Sequence, residues 1–415
     1  MLSILFALLL APSDPSLDLK AATPPEARRI PKTTVVHGES RVDDYFWLRE
    51  KSDPAVLAHL EAENAYTAVV TRPIEGKADA LYAEMRGRIK EADVDVPYRR
   101  DGWLYDNRTE QGKQYPIHTR KRPEPGAAEQ VLLDLNELAK GEKFLALDAF
   151  SVSDDGNLLA YSTDVTGFRL YTLCVKDLRT GETLPDRIER VHSPVWAADN
   201  KTLFYVAEDS AKRPYQLRRH VLGSADPDPI VYEERDELYR VTTSRSHDKA
   251  YLFFDSHSAE TTEVRALPAD RPNEVPRVLL PRETDHEYDV EHRDGLFYIR
   301  TNKGAKNFRI VTAPEADPSP SAWKEFLPHR PEVFVAGIDV FRDYLVVTER
   351  EGGLPHVRVH DLAANASRRV AFPEPAYSVL VDGDPEYTSD KIRLRYQSLV
   401  TPSSVYDYDP KTQNL

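Results

Sequence analysis

The sequence of 415 residues contains one cysteine, few glycines and fewer basic than acidic side chains. One cysteine excludes an intramolecular disulfide framework and any zinc site built from several cysteines. With 17 glycines against 31 prolines, phosphate-binding loops are not expected, and neither a Walker loop nor a G-x-G-x-x-G motif occurs. The net charge of −14 argues against nucleic acids and anionic membranes as partners, because both bind basic surfaces.

Long apolar runs are also missing, apart from one at the N-terminus. Leu2–Ala11 is too short to cross a bilayer, which takes about 20 residues. Its length fits the h-region of a secretory signal, but no basic residue precedes it and its last three residues form a poor cleavage site. A signal peptide and a wrongly assigned start codon are both open, and with them a periplasmic or secreted location against a cytoplasmic one. We interpret residues 1–31 as a leader, since Pro12–Pro31 is rich in Pro, Ser and Asp.

Residues 32–95 are predicted to form a short N-terminal helical segment. Asp53 and Pro54 supply an N-cap followed by proline at the first helical position. Helical spacing then relates Val56, Leu57, Leu60 and Asn64. A second helix is predicted from Gly76 to Lys90, with one apolar face made of Ala80, Leu81, Met85 and Ile89.

After Pro97 the sequence changes to short β-branched and aromatic runs separated by polar turns, and these runs repeat. One strand type begins at Leu158, Leu203, Tyr251, Leu296, Tyr344 and Ile392. Each is followed by a second strand, anchored at Leu173, Leu217, Val264, Phe308, Val357 and Val405. Successive anchors are 44, 47, 44, 49 and 48 residues apart. An earlier copy, Trp103–Tyr105 with Tyr115–Ile117, makes seven units.

A period of about 40 to 50 residues with four short strands per unit is typical of a β-propeller. The sequence therefore predicts an all-β fold, a seven-bladed β-propeller over residues 96–415, with an incomplete last blade. The alternative is a long two-sheet sandwich or two stacked β domains, which six regular repeats argue against. We expect packing alone to close the ring, because the lone Cys174 cannot form a disulfide.

A self-contained active site is not apparent. The nucleophile elbow G-x-S-x-G is absent from these 415 residues, and Ser321 with Lys324 matches S-x-x-K only at the level expected by chance. We therefore predict no catalytic, cofactor-binding or metal-binding residue, and no cofactor.

Other polar features have simpler structural explanations. Scattered histidines, among them His286, His292 and His356, fit inter-strand or surface positions. The Asp382–Asp384 segment fits an Asx-turn, and the basic cluster Thr119–Arg122 a solvated hairpin turn.

Several segments nevertheless resemble a known family. Asp43–Arg49 (DDYFWLR) resembles the D-x-Y-x-W-L-R/E signature near the N-terminus of prolyl oligopeptidase family enzymes. Further segments look like the oligopeptidase B branch in particular, in the same order along the chain: Val96–Arg100, Tyr171–Leu173, Val175–Leu178, Asn307–Arg309, Gly352–Pro355 and Thr401–Asp409. The similarity covers residues 31–415.

The resemblance implies a serine peptidase of two domains, in which a propeller caps an α/β-hydrolase domain and short peptides are cleaved after Arg or Lys. The family's Ser, Asp and His follow the last blade and have no counterpart here. The chain would then be the substrate-gating propeller, as a gene fragment, a truncated form or half of a split protein. Its partners would be short basic peptides and a hydrolase domain, in cis or in trans, on which residues 32–95 would pack.

Two alternatives stay open. The first is a catalytically inactive propeller that acts as a peptide- or protein-binding module. The second is a propeller enzyme with chemistry in its own channel, which no recurring acid, base or metal cluster supports.

Acidic turns suggest a further interpretation for a peptidase of this kind. They could form a negative rim that steers basic peptides inward, or they could only improve solubility. The residues concerned are Asp154, Asp155, Glu233, Glu234, Asp236, Glu237, Asp285, Glu287 and Asp289.

Overall fold

The computed structural model describes residues 23–382 and 386–415. The apolar run Leu2–Ala11 lies outside the described residues, as do Gly383 and Asp384 of the predicted Asx-turn. The chain forms two compact units, which divide after Lys90.

The first unit contains a β-hairpin and two helices. The hairpin pairs β1 (Lys32–Val36) with β2 (Glu39–Asp43). Helix α1 (Pro54–Thr71) begins where the Asp53 side chain accepts a hydrogen bond of 2.8 Å from the Ala55 amide, which confirms the predicted cap. One 3₁₀ turn leads into α2 (Glu75–Gly87), so the two helices are almost continuous.

The second unit is a ring of seven antiparallel sheets, here called blades 1 to 7 in chain order. Blade 1 has the strands β3 (Asp93–Val94), β4 (Tyr98–Arg100), β5 (Trp103–Thr109), β6 (Ile117–Lys121) and β7 (Gln130–Asp134). It has five strands, because two short strands, β3 and β4, both pair with the same edge of β5. The short helix α3 (Leu135–Leu138) follows the last strand of this blade.

Blades 2 to 4 each contain four strands that pair in sequence order. Blade 2 has β8 (Ala146–Val152), β9 (Leu158–Asp164), β10 (Thr172–Asp177) and β11 (Thr183–Glu189). Blade 3 has β12 (Val191–Trp196), β13 (Thr202–Glu208), β14 (Pro214–Val221) and β15 (Ile230–Glu233). Blade 4 has β16 (Arg240–Arg245), β17 (Tyr251–His257), β18 (Thr262–Pro268) and β19 (Arg277–Val278).

Blades 5 and 6 follow the same pattern, and blade 7 has three strands among the described residues. Blade 5 has β20 (Tyr288–Arg293), β21 (Leu296–Thr301), β22 (Arg309–Pro314) and β23 (Lys324–Leu327). Blade 6 has β24 (Phe334–Val340), β25 (Tyr344–Glu351), β26 (Leu354–Asp361) and β27 (Ala366–Arg369). Blade 7 has β28 (Ser378–Val381), β29 (Ile392–Gln397) and β30 (Ser404–Tyr408).

The repeat read from the sequence is the blade, which confirms the seven-bladed propeller. The first repeated strand type is the second strand of each blade, and the anchors belong to or directly precede the third strand. Polar turns join the strands as expected: in blade 2 the Asp155 carboxylate accepts from the Ser153 hydroxyl at 2.6 Å and from the Asn157 amide, around Gly156 at φ +73°.

Six apolar clusters form the core, and each joins two consecutive blades. Leu173 and Trp196, for example, belong to the cluster between blades 2 and 3, and each is almost fully buried. Removing a large apolar side chain from water contributes about 1.5–3 kcal/mol, so these faces hold neighbouring blades together.

The junction between blades 7 and 1 differs from the other six. No apolar cluster among the described residues spans it, and no strand of blade 7 pairs with a strand of blade 1. A hydrogen bond of 2.7 Å from the Arg393 guanidinium to the Pro97 carbonyl crosses it instead. As expected, Cys174 forms no disulfide and closure here is non-covalent, but the contact described at this junction is polar and not apolar.

Candidate functional site

A polar cleft of about 830 Å³ lies at the junction of blades 7 and 1. This volume is in the range of sites that bind small ligands. Residues 95–100 with part of β5 form one wall, and β29 with Glu386 and residues 388–391 forms the other. The described charged lining residues are Asp95, Arg99, Arg100, Asp106, Asp382, Glu386, Asp390, Lys391, Arg393, Arg395 and Asp407.

Ion pairs hold the basic side chains of the blade 7 wall. Arg393 pairs with Asp407 on β30 at 2.8 Å while it also donates to Pro97. Arg395 pairs with Asp382 at 2.7 Å. These pairs fix the guanidinium groups against the wall of the cleft.

On the blade 1 wall, Asp106 stands among other carboxylates. Burial together with repulsion from Asp95 and Glu129 raises the pKa of Asp106, although the Asn107 amide and the Lys121 charge act in the opposite direction. A carboxylate in such surroundings is stabilised by an incoming cation. This wall can therefore accept a basic group.

The two ends of the propeller carry different connections between strands. The turn end carries the turns between the first and second strands of the blades, such as Asp155–Gly156. The loop end carries the connections between second and third strands and between blades. The second unit also begins at the loop end, because β3 pairs with the last residues of β5.

Exposed apolar side chains are found at the loop end. They are Val165 and Phe168 of the β9–β10 loop, Leu238 between blades 3 and 4, and Leu399 and Val400 of the β29–β30 loop. Phe168 is 70% exposed and Leu238 is 78% exposed. The turn end also carries exposed apolar side chains, and Val275 in the β18–β19 turn is 86% exposed, so this property does not distinguish the two ends.

The helices of the first unit are similarly exposed. Val56 is the buried residue of α1, whereas Leu57, Leu60, Leu81 and Met85 are about half exposed or more. The apolar spacing predicted from the sequence is present, but among the described residues most of it faces outward.

The basic cluster Thr119–Arg122 is not a solvated hairpin turn, which corrects the sequence interpretation. Thr119 and Arg120 are buried in β6. Arg120 and Arg122 lie on the indole of Trp103, with guanidinium carbons 4.0 and 3.8 Å from the ring centroid. Arg120 also donates to the Gly156 carbonyl in blade 2 at 2.7 Å, so it joins two blades.

The acidic turns lie at both ends of the propeller, so one rim cannot contain all nine residues, and the steering of basic peptides stays a prediction. Asp154 and Asp155 lie at the turn end, whereas Glu234 and Asp285 lie at the loop end. Asp154 pairs with Arg245 and Lys249. Glu234 is buried, and an ion pair with Arg282 offsets its charge.

The histidines singled out in the sequence lie in separate places. His286 is buried at 2.8 Å from the Thr301 hydroxyl, and His292 lies 2.6 Å from Asp248. His356 on β26 lies 3.4 Å from the Tyr377 hydroxyl. Within residues 23–382 and 386–415, no group of three or more His, Cys, Asp or Glu side chains is arranged to hold a metal ion.

Ser321, the serine of the S-x-x-K match, is exposed in the 3₁₀ turn Pro320–Ala322 between β22 and β23.

Among the described helices, none has the length and apolar character to cross a membrane.

One feature of the site was missed in the sequence, although a signal for it exists. Strand β29 reads Ile-Arg-Leu-Arg-Tyr-Gln, and its side chains alternate between buried and accessible. The equivalent β13 is buried on both faces over most of its length. Alternation of this kind indicates a strand with only one packed face, and here the other face lines the cleft.

These features define the class of the second unit: a seven-bladed β-propeller domain with a polar cleft between its last and first blades. The family model for the N-terminal β-propeller domain of prolyl oligopeptidase matches residues 24–415. The chain therefore belongs to the prolyl oligopeptidase family.

Curated relatives agree with this membership. Dipeptidyl aminopeptidase BI of Pseudoxanthomonas mexicana is 40% identical over 414 residues, and Protease 2 of Moraxella lacunata is 33% identical over 398 residues. Each alignment covers 94% of this chain and 57% of the relative, so the chain spans little more than half the length of these proteins.

Solved structures give the same result. Oligopeptidase B from Leishmania major superposes with a TM-score of 0.87 at 31% identity, over 95% of this chain and 60% of the other. Oligopeptidase B from Trypanosoma brucei, with covalently bound antipain in a closed form, gives 0.83 at 30% identity, over 92% and 58%.

Proposed function

We propose that this chain is the substrate-gating propeller of an oligopeptidase B-like serine peptidase that cleaves short peptides after Arg or Lys. The observation that carries the proposal is the match to the family's propeller domain over residues 24–415, beside relatives that are much longer than the matched part. The nucleophile, base and acid belong to an α/β-hydrolase domain, in cis or in trans. The propeller restricts access so that short peptides enter and folded proteins do not.

The domain roles in this proposal follow the expected boundaries. Residues 1–31 are a leader, 32–95 pack on the hydrolase domain, and 96–415 form the gate. The exposed apolar residues of α1 and α2 support this assignment, because a helix face of this kind has the character of a protein interface.

The cleft between blades 7 and 1 is the proposed route for peptides. Its junction lacks the apolar cluster that joins the other neighbouring blades within the described chain, so parting it exposes little apolar surface. The carboxylates Asp95 and Asp106 on one wall support a preference for basic peptides.

The proposal is tested by joining the chain after Leu415 to the hydrolase domain of the 40% identical relative. We expect cleavage after Arg and Lys in short peptides, and none when the same sequence lies inside a folded protein domain. A fusion whose nucleophilic serine is replaced by alanine is the matched control. The chain without that domain should neither cleave these peptides nor react with a fluorophosphonate probe, because acyl transfer needs an activated nucleophile and an oxyanion hole.

The outcomes separate the gate from the binding module. A fusion that cleaves folded and short substrates equally well would contradict gating. A correctly folded fusion that binds basic peptides without cleaving them would favour the binding module, and cleavage after residues other than Arg or Lys would contradict the specificity.

A further inference from the structure

The turn between β16 and β17 of blade 4 reaches blades that are not its neighbours in the ring. The Lys249 ammonium lies 2.5 Å from Asp101 in blade 1 and 3.2 Å from Asp154 in blade 2. Arg245 binds both oxygens of Asp154 at 2.8 and 3.2 Å. In a ring of seven blades, blades 1 and 2 are not adjacent to blade 4, so these ion pairs cross the channel at the turn end.

The same turn contacts the opposite side of the ring. The His247 ring nitrogen Nδ1 lies 2.9 Å from the Val340 carbonyl of blade 6. Its imidazole is 4.7 Å from the ring centroid of Phe341 and 5.7 Å from that of Tyr387 in blade 7. The turn therefore touches both sides of the junction where the ring lacks an apolar cluster.

A comparison with the equivalent turns shows that Lys249 is unusual. Blade 2 places Gly156 and blade 3 places Asn200 at this position, and all three residues have a positive φ, +65° for Lys249. Glycine and asparagine tolerate this region, whereas other residues pay about 1–2 kcal/mol. The ion pairs of its side chain, and not its backbone conformation, therefore set Lys249 apart from other residues with positive φ.

The ion pairs are sheltered from solvent. The side chains of Arg245, Lys249, Asp101 and Asp154 are each about one third exposed or less. Burial acts to raise the pKa of Asp154, but the hydrogen bonds and charges of Arg245 and Lys249 outweigh it and hold that pKa below its usual value. Partly buried pairs keep more of their attraction in salt than exposed ones, but concentrated salt still weakens them.

We propose that Arg245–Lys249 is a cross-channel clasp, which closes the turn end of the propeller and holds blade 1 in place beside the weak junction with blade 7. Asp101 lies in the turn that joins β4 to β5, and residues 98–100 of β4 form part of the cleft wall. Lys249 therefore holds that wall from across the channel. The clasp is a device of the propeller itself and does not depend on the peptidase proposal.

The test measures the width of the cleft in the full chain. Spin labels are placed on the exposed residues Arg99 and Thr388, on opposite walls, through R99C and T388C in a Cys174→Ser background. The distance distribution between the labels is recorded by pulsed electron resonance at low and high salt. Lys249→Gly removes the cation and also relieves the strain of the turn, so it is expected to fold.

We expect Lys249→Gly to give longer and broader distances between the labels at low salt. The labelled protein that retains Lys249, here called the parent, should approach that distribution only at high salt. Lys249→Arg should restore the parent distances, because it keeps a cation at the position. Lys212→Gly is the matched control: Lys212 is also a lysine with positive φ, +64°, but it lies in the β13–β14 turn at the loop end. It should leave the distances unchanged.

Two results would overturn the clasp. One is a Lys249→Gly distribution that coincides with the parent at every salt concentration. The other needs no substitution at the clasp: a labelled parent whose distances do not respond to salt at all.

Discussion

At the scale of single residues, Glu349 on β25 is a fully buried carboxylate at the centre of an ion-pair network. Its side chain has no exposed surface, and three guanidinium groups surround it, those of Arg330, Arg358 and Arg369. Glu349→Gln removes the only negative charge at the centre of this group. We expect a loss of about 3–5 kcal/mol in the free energy of unfolding, the usual cost of leaving buried charge unpaired, measured by urea denaturation.

The pH dependence of the same residue has a definite sign. Burial acts to raise the pKa of Glu349, but the hydrogen bonds from Arg358 and Arg330 lower it from 4.5 to about 2. A depressed pKa in the folded state means that the stabilisation is complete above pH 4.5 and is lost as the pH falls toward 2.

Glu351→Gln is the control for Glu349→Gln. Glu351 pairs with Arg369 at a more exposed position, so its loss should cost about 1 kcal/mol or less. Equal effects of the two substitutions would contradict this account.

Arg120 and Arg122 give a second prediction at this scale, since both lie on Trp103 and only Arg120 is buried. Arg120→Lys loses the hydrogen bond to Gly156 and the contact with the Tyr105 hydroxyl. We expect it to destabilise the chain by about 2–4 kcal/mol, because hydrogen bonds to charged groups contribute about 1.5–3 kcal/mol each. Arg122→Lys should cost about 1 kcal/mol or less. Similar losses measured by thermal denaturation would show that stacking alone matters.

The role of Arg120 could not be predicted from the sequence. A run of basic residues after a strand is usually solvated, and Gly156, which accepts the hydrogen bond, lies 36 residues further along the chain. The residue is buried because blade 2 packs on blade 1, so its role depends on the ring and not on the local pattern.

At the scale of elements, the strands and turns were predictable because each blade repeats the same local chemistry. The third-strand anchors at Leu173, Leu217 and Val264 are buried as the spacing predicts. The extra strand of blade 1 was not predictable, since Asp93–Val94 pairs over only two residues and carries no apolar pattern. The alternation of apolar and polar residues in β29 does indicate a strand with one unpacked face, and it was the one signal for the cleft in the sequence.

The helices of the first unit provide the prediction at this scale. Leu60→Ser and Met85→Ser replace exposed side chains and should leave the melting temperature of the chain unchanged. Val56→Ala removes part of a buried side chain and should lower the free energy of unfolding by about 1.5 kcal/mol or more. In the hydrolase fusion, by contrast, the proposed packing covers these side chains, so Leu60→Ser and Met85→Ser should lower the melting temperature. Unchanged melting of the fusion would argue against packing of these helices on the hydrolase domain.

At the scale of the whole molecule, the number of blades followed from the sequence and the manner of closure did not. Periodic anchors count repeats, but they carry no information on whether the first and last repeats meet through apolar or polar faces. The polar contact at this junction joins the Arg393 side chain to the backbone carbonyl of Pro97, two residues that are 296 positions apart. The cleft, the candidate site of the propeller, was therefore outside the reach of the repeat pattern.

The stability of the ring should consequently be uneven, and amide hydrogen exchange measures this directly. Six junctions have an apolar cluster, while the junction of blades 7 and 1 has none among the described residues. Each of these two blades is packed through an apolar cluster on one face only. We expect the amides of β5 and β29 to exchange faster than those of β13 and β17, although all four strands pair with a neighbouring strand on each side. Blades 3 and 4 serve as the internal reference, because each packs on two neighbours. Uniform protection over the seven blades would mean that the polar junction is as strong as the apolar ones.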